Sequence, residues 1–370
     1  MTQSLNVHLG IPQTHGSRTF AAPSPWTKGN RGQRSRGRER LNFRIPLAAG
    51  TAHASGWLMQ RFLYLIVRAL VGVLQGLPLG LVGRLGRWGG GLAYWLDARH
   101  RRMALRNLTA CFGSERSPAA VRALARENFR RIGETFACSL KICSLTPAQV
   151  RQVLTLVGFE RFRSPACHAE RGRVVVTGHF GNFELYPYAG QFLPEFQFAA
   201  TYRAVAPEWL NAYLLRLRQH SGCWYFERRT GGRALREAMN QQRLMLGLLA
   251  DQHAGDKGLR LPFLGRDCAT SAAPAVFALR YRCPLFPAIC YRVGLGRWRI
   301  EVGEEIPILE AGQPRSVAAI TQDINRALEA AVRRDPANWF WVHNRWKPAK
   351  RPRPPADSPV GSPPVAAPAA

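Results

Sequence analysis

Residues 173–184, RVVVTGHFGNFE, decide the fold, because an apolar run gives way there to a glycine-rich turn and then to a helix signal. RVVVTG is typical of a buried strand. From this segment onward, short β-rich runs alternate with amphipathic helical patterns as far as residue 334. The alternation predicts an α/β fold with a mostly parallel central sheet flanked by helices.

His179 directly follows this predicted strand, and Glu184 comes five residues later, where we expect a helix to start. Ligands of open α/β sheets bind at the carboxyl ends of the strands, so both side chains are expected in the functional site. A histidine can take a proton from a hydroxyl group while a neighbouring carboxylate fixes its tautomer. The pattern therefore predicts a general base, His179, partnered by Glu184. Structural hydrogen bonding or helix capping is the alternative interpretation.

The same turn predicts how a substrate could be held. Gly178 and Gly181 allow the backbone to bend tightly, and a following helix would present free N–H groups to a phosphate or an oxyanion. We therefore expect Gly181 and Asn182 to contribute to substrate binding. The chain has no G-x-S-x-G motif, so the nucleophile is expected to be a hydroxyl group of the substrate itself.

Residues 57–81 read WLMQRFLYLIVRALVGVLQGLPLGL, a segment long enough to cross a bilayer as a helix. Arg61, Arg68, Gln75 and Pro78 interrupt it, so a helix lying in the membrane interface competes with a spanning one. A helix buried in the protein core is the third interpretation of this segment. We expect residues 57–97 to form a membrane anchor and an amphipathic helix. Basic flanking residues favour the cytoplasmic side of the membrane: Arg61, Arg84, Arg87, Arg99, Arg101 and Arg102.

The remaining boundaries follow from composition. Residues 98–347 are expected to form the catalytic domain, facing the cytoplasm. Residues 1–56 are rich in Gly, Pro, Ser and Arg and predict a disordered basic leader, while residues 348–370 predict a Pro- and Ala-rich disordered tail. Met59 precedes the apolar segment, so translation starting there is a further hypothesis. Peptides recovered from residues 1–56 of the native protein would exclude it.

The charge is unbalanced, with 52 Lys and Arg against 23 Asp and Glu, a formal net charge of +29. Such a surface attracts polyanions: nucleic acid, anionic lipid, or an acidic protein or phosphorylated substrate. No nucleic-acid-binding motif is present, so nucleic acid is not expected as a partner. The eight cysteines show neither C-x-x-C nor zinc-ligand spacing. We expect buried free thiols, and no metal or other cofactor.

The turn segment resembles the H-x4-[DE] motif of the lysophospholipid acyltransferase superfamily, and TGHFGNFE is similar to its bacterial lipid A branch, the lauroyl and myristoyl acyltransferases. The resemblance runs from about residue 60 to 347. It includes five further segments in order: RRMALRNLTACFG, ATYRAV, LLADQHAGDKG, LPFLGRDCAT and ANWFWVHNRWK.

The resemblance implies a glycerolipid acyltransferase-like fold with His179 as general base and Glu184 as its partner. It implies that Arg203 binds a phosphate of the acceptor, or the donor. Asp251 and Gln252 match a D-Q pair beside the site, and we expect them to bind substrate. The implied partners are an acyl carrier protein as donor, a phosphorylated glycolipid of the lipid A type as acceptor, and membrane lipids. The implied location is the cytoplasmic face of the bacterial inner membrane.

Three departures bear on the acceptor. The chain has Glu184 where glycerolipid acyltransferases usually have Asp, and it lacks their E-G-T-R stretch, which favours a saccharolipid acceptor over lysophosphatidate. Ala273 stands where the resembled family usually has glycine, and this departure weakens the inference about the acceptor. A lysophospholipid, aminolipid or other glycolipid therefore stays an alternative acceptor. A non-enzymatic basic protein that binds membranes or nucleic acid is the alternative of another class. The aromatic run Trp339-Phe340-Trp341 fits either an interfacial belt or ordinary core packing.

Overall fold

The computed structural model describes residues 51–163, 172–241 and 243–348, with side chains from residue 58 onward. The tail from 349 and the leader as far as residue 50 lie outside the described residues, as does Cys167. The disorder predicted for these segments therefore stays a prediction.

In the described part of the chain, five helices precede the first strand, and strands and helices are interspersed from there on. The helices are α1 (Thr51–Gly76), α2 (Leu79–Leu96), α3 (Ala98–Phe112), α4 (Pro118–Ile142), α5 (Pro147–Val153), α6 (Glu208–Gln219), α7 (Gly232–Gln241), α8 (Ala273–Tyr281) and α9 (Val317–Arg334). The strands are β1 (Leu154–Val157), β2 (Arg173–Thr177), β3 (Gln197–Tyr202), β4 (Trp224–Glu227), β5 (Leu244–Leu249), β6 (Leu259–Phe263), β7 (Arg266–Thr270), β8 (Leu285–Gly294), β9 (Arg297–Val302), β10 (Leu309–Glu310) and β11 (Gln313–Pro314). Short 3-10 helices cover Phe159–Arg163, Phe183–Phe192 and Pro336–Asn338.

Seven strands form the central sheet in the order β1-β9-β8-β2-β5-β3-β4. Every neighbouring pair is parallel except β8 and β9, which are joined by a tight turn and pair antiparallel. This confirms the predicted mostly parallel α/β fold. Since β2 lies between β8 and β5, the RVVVT run occupies the middle of the sheet.

Both faces of the sheet are covered, which explains the uninterrupted apolar run in β2. Val174 and Val176 point into one core cluster, together with residues of α3, α8 and α9. Val175 points to the opposite face and joins a second cluster that includes Phe162 and Met245. A strand buried on both faces has no polar side, so the sequence shows no alternation.

Helices α2 and α4 cross at very short range through glycines. A Cβ added at Gly133 would lie 2.1 Å from the carbonyl oxygen of Gly86, and one added at Gly90 would lie 2.2 Å from that of Phe129. Only residues without a side chain fit at this crossing. The contact fixes the N-terminal helices onto α4, which in turn supports the loop after β2.

One local prediction needs correction, and one segment without a prediction forms a hairpin. The helix expected from Glu184 is a 3-10 helix, Phe183–Phe192, with Pro187 inside it. Proline has no N–H to donate along an α-helix and clashes with the preceding turn, which favours the tighter, shorter form. The LPFLGRDCAT segment forms an antiparallel hairpin of β6 and β7.

The first helix begins at Thr51, six residues before the predicted anchor. Among the described residues, one segment, Leu58–Gly76, is long and apolar enough to span a membrane by length and composition. Most of its large apolar side chains are exposed to solvent, including Phe62, Leu65 and Leu70. The buried-core reading of this segment is therefore wrong.

Candidate active site

His179 and Asp251 meet at the carboxyl edge of the sheet. His179 follows β2 and Asp251 follows β5, and these two strands are parallel neighbours. The backbone N–H of Ala250 donates to the carbonyl of Thr177 at 3.0 Å, which continues the pairing to the residue before Asp251. The two side chains, 72 positions apart in sequence, are thereby held next to each other.

Asp251 contacts His179 at two points. One carboxylate oxygen lies 2.9 Å from the ring nitrogen Nδ1, and the other accepts the backbone N–H of His179, also at 2.9 Å. The indole N–H of Trp339 donates to the second oxygen at 2.9 Å. The side chain of Asp251 is 1% exposed, so the carboxylate is buried and fully engaged by donors.

Charge and burial act in opposite directions on this pair. Burial disfavours the charged form of His179, but the Asp251 carboxylate outweighs it and raises the pKa of the imidazole above its usual value. Burial also disfavours ionised Asp251, yet the charge and hydrogen bonds of His179, with help from Trp339, lower the pKa of the carboxyl to about 2. Asp251 therefore stays ionised at neutral pH and can only accept hydrogen bonds.

This fixes the tautomer of the imidazole. Because the carboxylate only accepts, Nδ1 of neutral His179 carries the proton, and Nε2 keeps its lone pair. The amide Nε2 of Gln252 lies 3.4 Å from that ring nitrogen, at the edge of the cavity described below. The unprotonated nitrogen of His179 thus faces the space where a substrate would lie.

The side-chain hydrogen bonds of Glu184 are made with Arg218, whereas the ring of His179 is bound by Asp251. Its carboxylate forms a bidentate ion pair with Arg218 of α6, at 3.0 Å from Nε and 2.5 Å from Nη2. Glu184 contributes to the raised pKa of His179 through its charge, as a smaller effect than Asp251. In this arrangement the ring nitrogen Nδ1 is bound by Asp251, while Glu184 and Arg218 form part of the cavity wall.

Gly181 and Asn182 lie in the loop that carries His179 and are held by α4. Gly181 has a φ of +49°, and an added Cβ would lie 2.6 Å from the carbonyl oxygen of Cys290. Thr135 donates to the carbonyl of Gly181, and Ser139 donates to the side-chain oxygen of Asn182 at 2.8 Å. Asn182 is completely buried. The structure places both residues in the support of the loop, and their contact with substrate stays a prediction.

The aromatic run near the end of the described chain belongs to the core and to the site. Trp339 and Trp341 are 2% and 0% exposed, which rules out an exposed belt at these positions. Trp339 also pairs with Phe180 through the backbone, beside His179. Arg345 is buried and donates to the carbonyl of Gln252. Residues 339–345 therefore hold both Asp251 and Gln252 in place through hydrogen bonds.

A cavity of about 600 Å³ opens from His179. Polar groups lie near the carboxyl edge of the sheet, among them Gln252, Arg203 and His343. Burial lowers the pKa of His343 and keeps that ring neutral. The cavity also extends over one face of the sheet, where its lining is apolar: Phe159, Phe162, Val175, Phe198, Met245 and Ile300.

The fold and the site define an α/β enzyme in which a histidine and a carboxylate stand at the polar end of a long apolar cavity. Residues 51–348 match the family described as bacterial lipid A biosynthesis acyltransferase, and the chain belongs to this family. It is therefore an acyltransferase, and the family implies a lipid acceptor in a membrane.

A curated relative is a phosphatidylinositol mannoside acyltransferase of Mycolicibacterium smegmatis (strain ATCC 700084 / mc(2)155). It is 24% identical over 316 residues, which cover 83% of this chain and 95% of the relative. By its name, that protein acylates a glycolipid. The similarity extends over most of this chain and nearly all of the relative, in agreement with the family match.

Three features around His179 differ from what the sequence predicts or are absent from that prediction. The sequence predicts a substrate contact for Asp251, gives no role to Arg218, and fits Trp339 to either core packing or an interfacial belt. The signal for Trp339 and Arg218 is weak, because both lie far from residue 179 in sequence. For Asp251 the sequence does carry a signal, because a carboxylate directly after an apolar strand needs a buried partner.

Proposed function

We propose that this acyltransferase moves a fatty acyl chain from an acyl carrier protein thioester to a hydroxyl group of a phosphorylated glycolipid of the lipid A type. The reaction is placed at the cytoplasmic face of the bacterial inner membrane. The observation that carries the proposal is the His179–Asp251 pair, in which His179, with Nε2 unprotonated, lines a cavity with one polar and one apolar end.

The chemistry follows from this geometry. Nε2 of His179 removes the proton of the acceptor hydroxyl as its oxygen bonds to the thioester carbonyl carbon. Asp251 remains ionised and stabilises the imidazolium. The tetrahedral intermediate then collapses, the C–S bond breaks, and His179 returns the proton to the leaving thiolate. An ester and a thiol result, and neutral His179 is restored.

The carboxylate of Glu184 has a secondary role in this mechanism. The negative charge of Glu184 favours imidazolium formation at His179. Its ion pair with Arg218 also presents polar groups to the cavity, where sugar hydroxyls could bind.

The apolar lining supports an acyl chain as one of the two substrates. Burying a methylene group is worth about 0.8 kcal/mol, so a chain lying against Phe162, Val175 and Ile300 would gain substantially from this part of the cavity. The polar end would then hold the thioester carbonyl and the acceptor hydroxyl beside His179.

A different glycolipid acceptor is the second candidate, and the named activity of the mycobacterial relative favours it. The chemistry at His179 would be the same. The two candidates differ in whether the acceptor is a lipid A precursor or another sugar-bearing membrane lipid.

Lipid mass spectrometry of cells with and without the gene tests the proposal and separates the two acceptors. The missing acyl chain should return with the wild-type gene and fail to return with His179→Ala, because removing a general base costs at least about 10²-fold in rate. Full restoration by His179→Ala protein, shown by thermal melting to be folded, would contradict the mechanism.

A further inference from the structure

Two arginines lie side by side at the carboxyl edge of the sheet. Arg203 follows β3 and Arg228 follows β4, and these strands are parallel with Tyr202 opposite Glu227. The backbone N–H of Arg228 donates to the carbonyl of Tyr202 at 2.9 Å, so the pairing continues past the end of β4. Both arginine side chains line the cavity that contains His179.

Neither guanidinium is neutralised within the part of the chain that the structure describes. No carboxylate of the described residues forms an ion pair with Arg203 or Arg228, in contrast to Arg218, which is bound by Glu184. The nearby Glu227 is already engaged, because it accepts the backbone N–H groups of Arg229 at 2.6 Å and Thr230 at 2.7 Å. Two uncompensated positive charges therefore face one cavity.

We propose that Arg203 and Arg228 together bind a phosphate ester of a substrate. Guanidinium groups bind phosphate oxygens through paired N–H donors, which gives both charge and geometric complementarity. The inference rests on the proposed function and adds to it a second arginine, Arg228, which the resemblance did not indicate.

The sheet order sets the distance between this phosphate and the reacting hydroxyl. Strand β3 lies two positions from β2, and β4 lies three positions away. With a spacing of about 4.8 Å between strands, the arginine pair lies on the order of 10–14 Å from His179 along the sheet edge. A sugar-sized group fits between the two points.

The phosphate ester has two possible sources with the same chemistry. It is either a phosphate of the glycolipid acceptor or the phosphodiester of the pantetheine arm that carries the acyl chain. Two soluble probes represent them: N-acetylglucosamine 1-phosphate for the acceptor and 4′-phosphopantetheine for the donor. N-acetylglucosamine and pantetheine are the phosphate-free controls.

The test is calorimetric titration of the detergent-solubilised full chain with each probe. Arg203→Gln and Arg228→Gln should each weaken binding of at least one phosphorylated probe by about tenfold, and leave the phosphate-free probes unaffected. Arg229→Gln is the matched control, since it removes the same charge one residue away, at a position outside the cavity lining. It should change affinity by less than about twofold.

The probe that loses affinity identifies the source of the phosphate. The inference is overturned if neither phosphorylated probe binds better than its phosphate-free control, or if Arg229→Gln weakens binding as much as Arg228→Gln. Binding needs no turnover, so phosphate binding by a chain without acyl transfer would reject the proposed function and leave this site standing.

Discussion

At the residue scale, the central feature is a buried carboxylate that is fully satisfied by donors. An ionised group without partners in the interior would be costly, but Asp251 accepts from the ring and backbone of His179 and from Trp339. The same contacts that stabilise the charge orient the imidazole. Under the proposed mechanism, one side chain therefore provides both structural support and positioning for catalysis.

The variant Glu184→Gln tests whether the charge of Glu184 assists His179, as proposed above. The change keeps the size of the side chain but removes its charge and weakens the ion pair with Arg218. We expect a folded enzyme that is slower by roughly tenfold, equivalent to about 1.4 kcal/mol of activation free energy. The assay is acyl transfer by the purified protein, and an unchanged rate would reduce Glu184 to a structural residue.

The position of His179 could be predicted from sequence because the end of a buried strand is visible as an apolar run followed by glycine. The partner on its ring could not be predicted from spacing. Asp251 reaches His179 because β5 lies beside β2, and the order of strands in a sheet depends on packing that no local pattern records. Glu184 is near in sequence, yet the 3-10 helix places its carboxylate on Arg218.

At the scale of elements, most helices and strands were predictable from the sequence. The exception beside the site is Phe183–Phe192, which is a 3-10 helix. Long periodic segments such as α9 and apolar runs such as β8 carry their own signal. The 3-10 helix at Phe183–Phe192 does not, since it results from Pro187 within an otherwise helical pattern. The order of strands was left unpredicted.

The crossing of α2 and α4 gives a stability prediction. Gly133→Val should destabilise the protein by about 1–3 kcal/mol, because the new Cβ would collide with the backbone of α2. Gly89→Ala in α2 is the control: nothing lies within 4 Å of its added Cβ, and alanine favours the helix by roughly 1 kcal/mol. Denaturant unfolding in detergent measures both, and equal stability of the two variants would contradict the crossing.

At the scale of the whole molecule, apolar side chains are exposed on two successive helices. On α1 they include Leu65 and Ile66, and on α2 Trp88 is 71% exposed. Exposed apolar surface of this extent in a lipid-modifying enzyme favours contact with a membrane. The net charge of +29 adds attraction to anionic lipid.

Vesicle flotation tests this surface. Replacing Leu65 and Ile66 together by lysine should release most of the protein from phosphatidylethanolamine–phosphatidylglycerol vesicles, because each lysine costs about 2.5–3.5 kcal/mol at the centre of a spanning helix. Leu309→Lys is the matched control, since it changes an exposed leucine on β10. Equal flotation of the double variant and the wild type would contradict membrane insertion of α1.

The dependence of the acyl-transfer rate on pH tests the central claim most directly. The base must be neutral, so the wild-type rate should rise with pH through the raised pKa of His179. Asp251→Asn removes the negative charge that raises this pKa. It should therefore shift the acidic limb to lower pH and reduce the maximal rate by about 10²-fold or more. Glu184→Gln should shift the acidic limb of the pH–rate profile by less than Asp251→Asn does, because its charge has the smaller effect on His179. An Asp251→Asn enzyme with an unshifted limb and a wild-type rate would contradict the account.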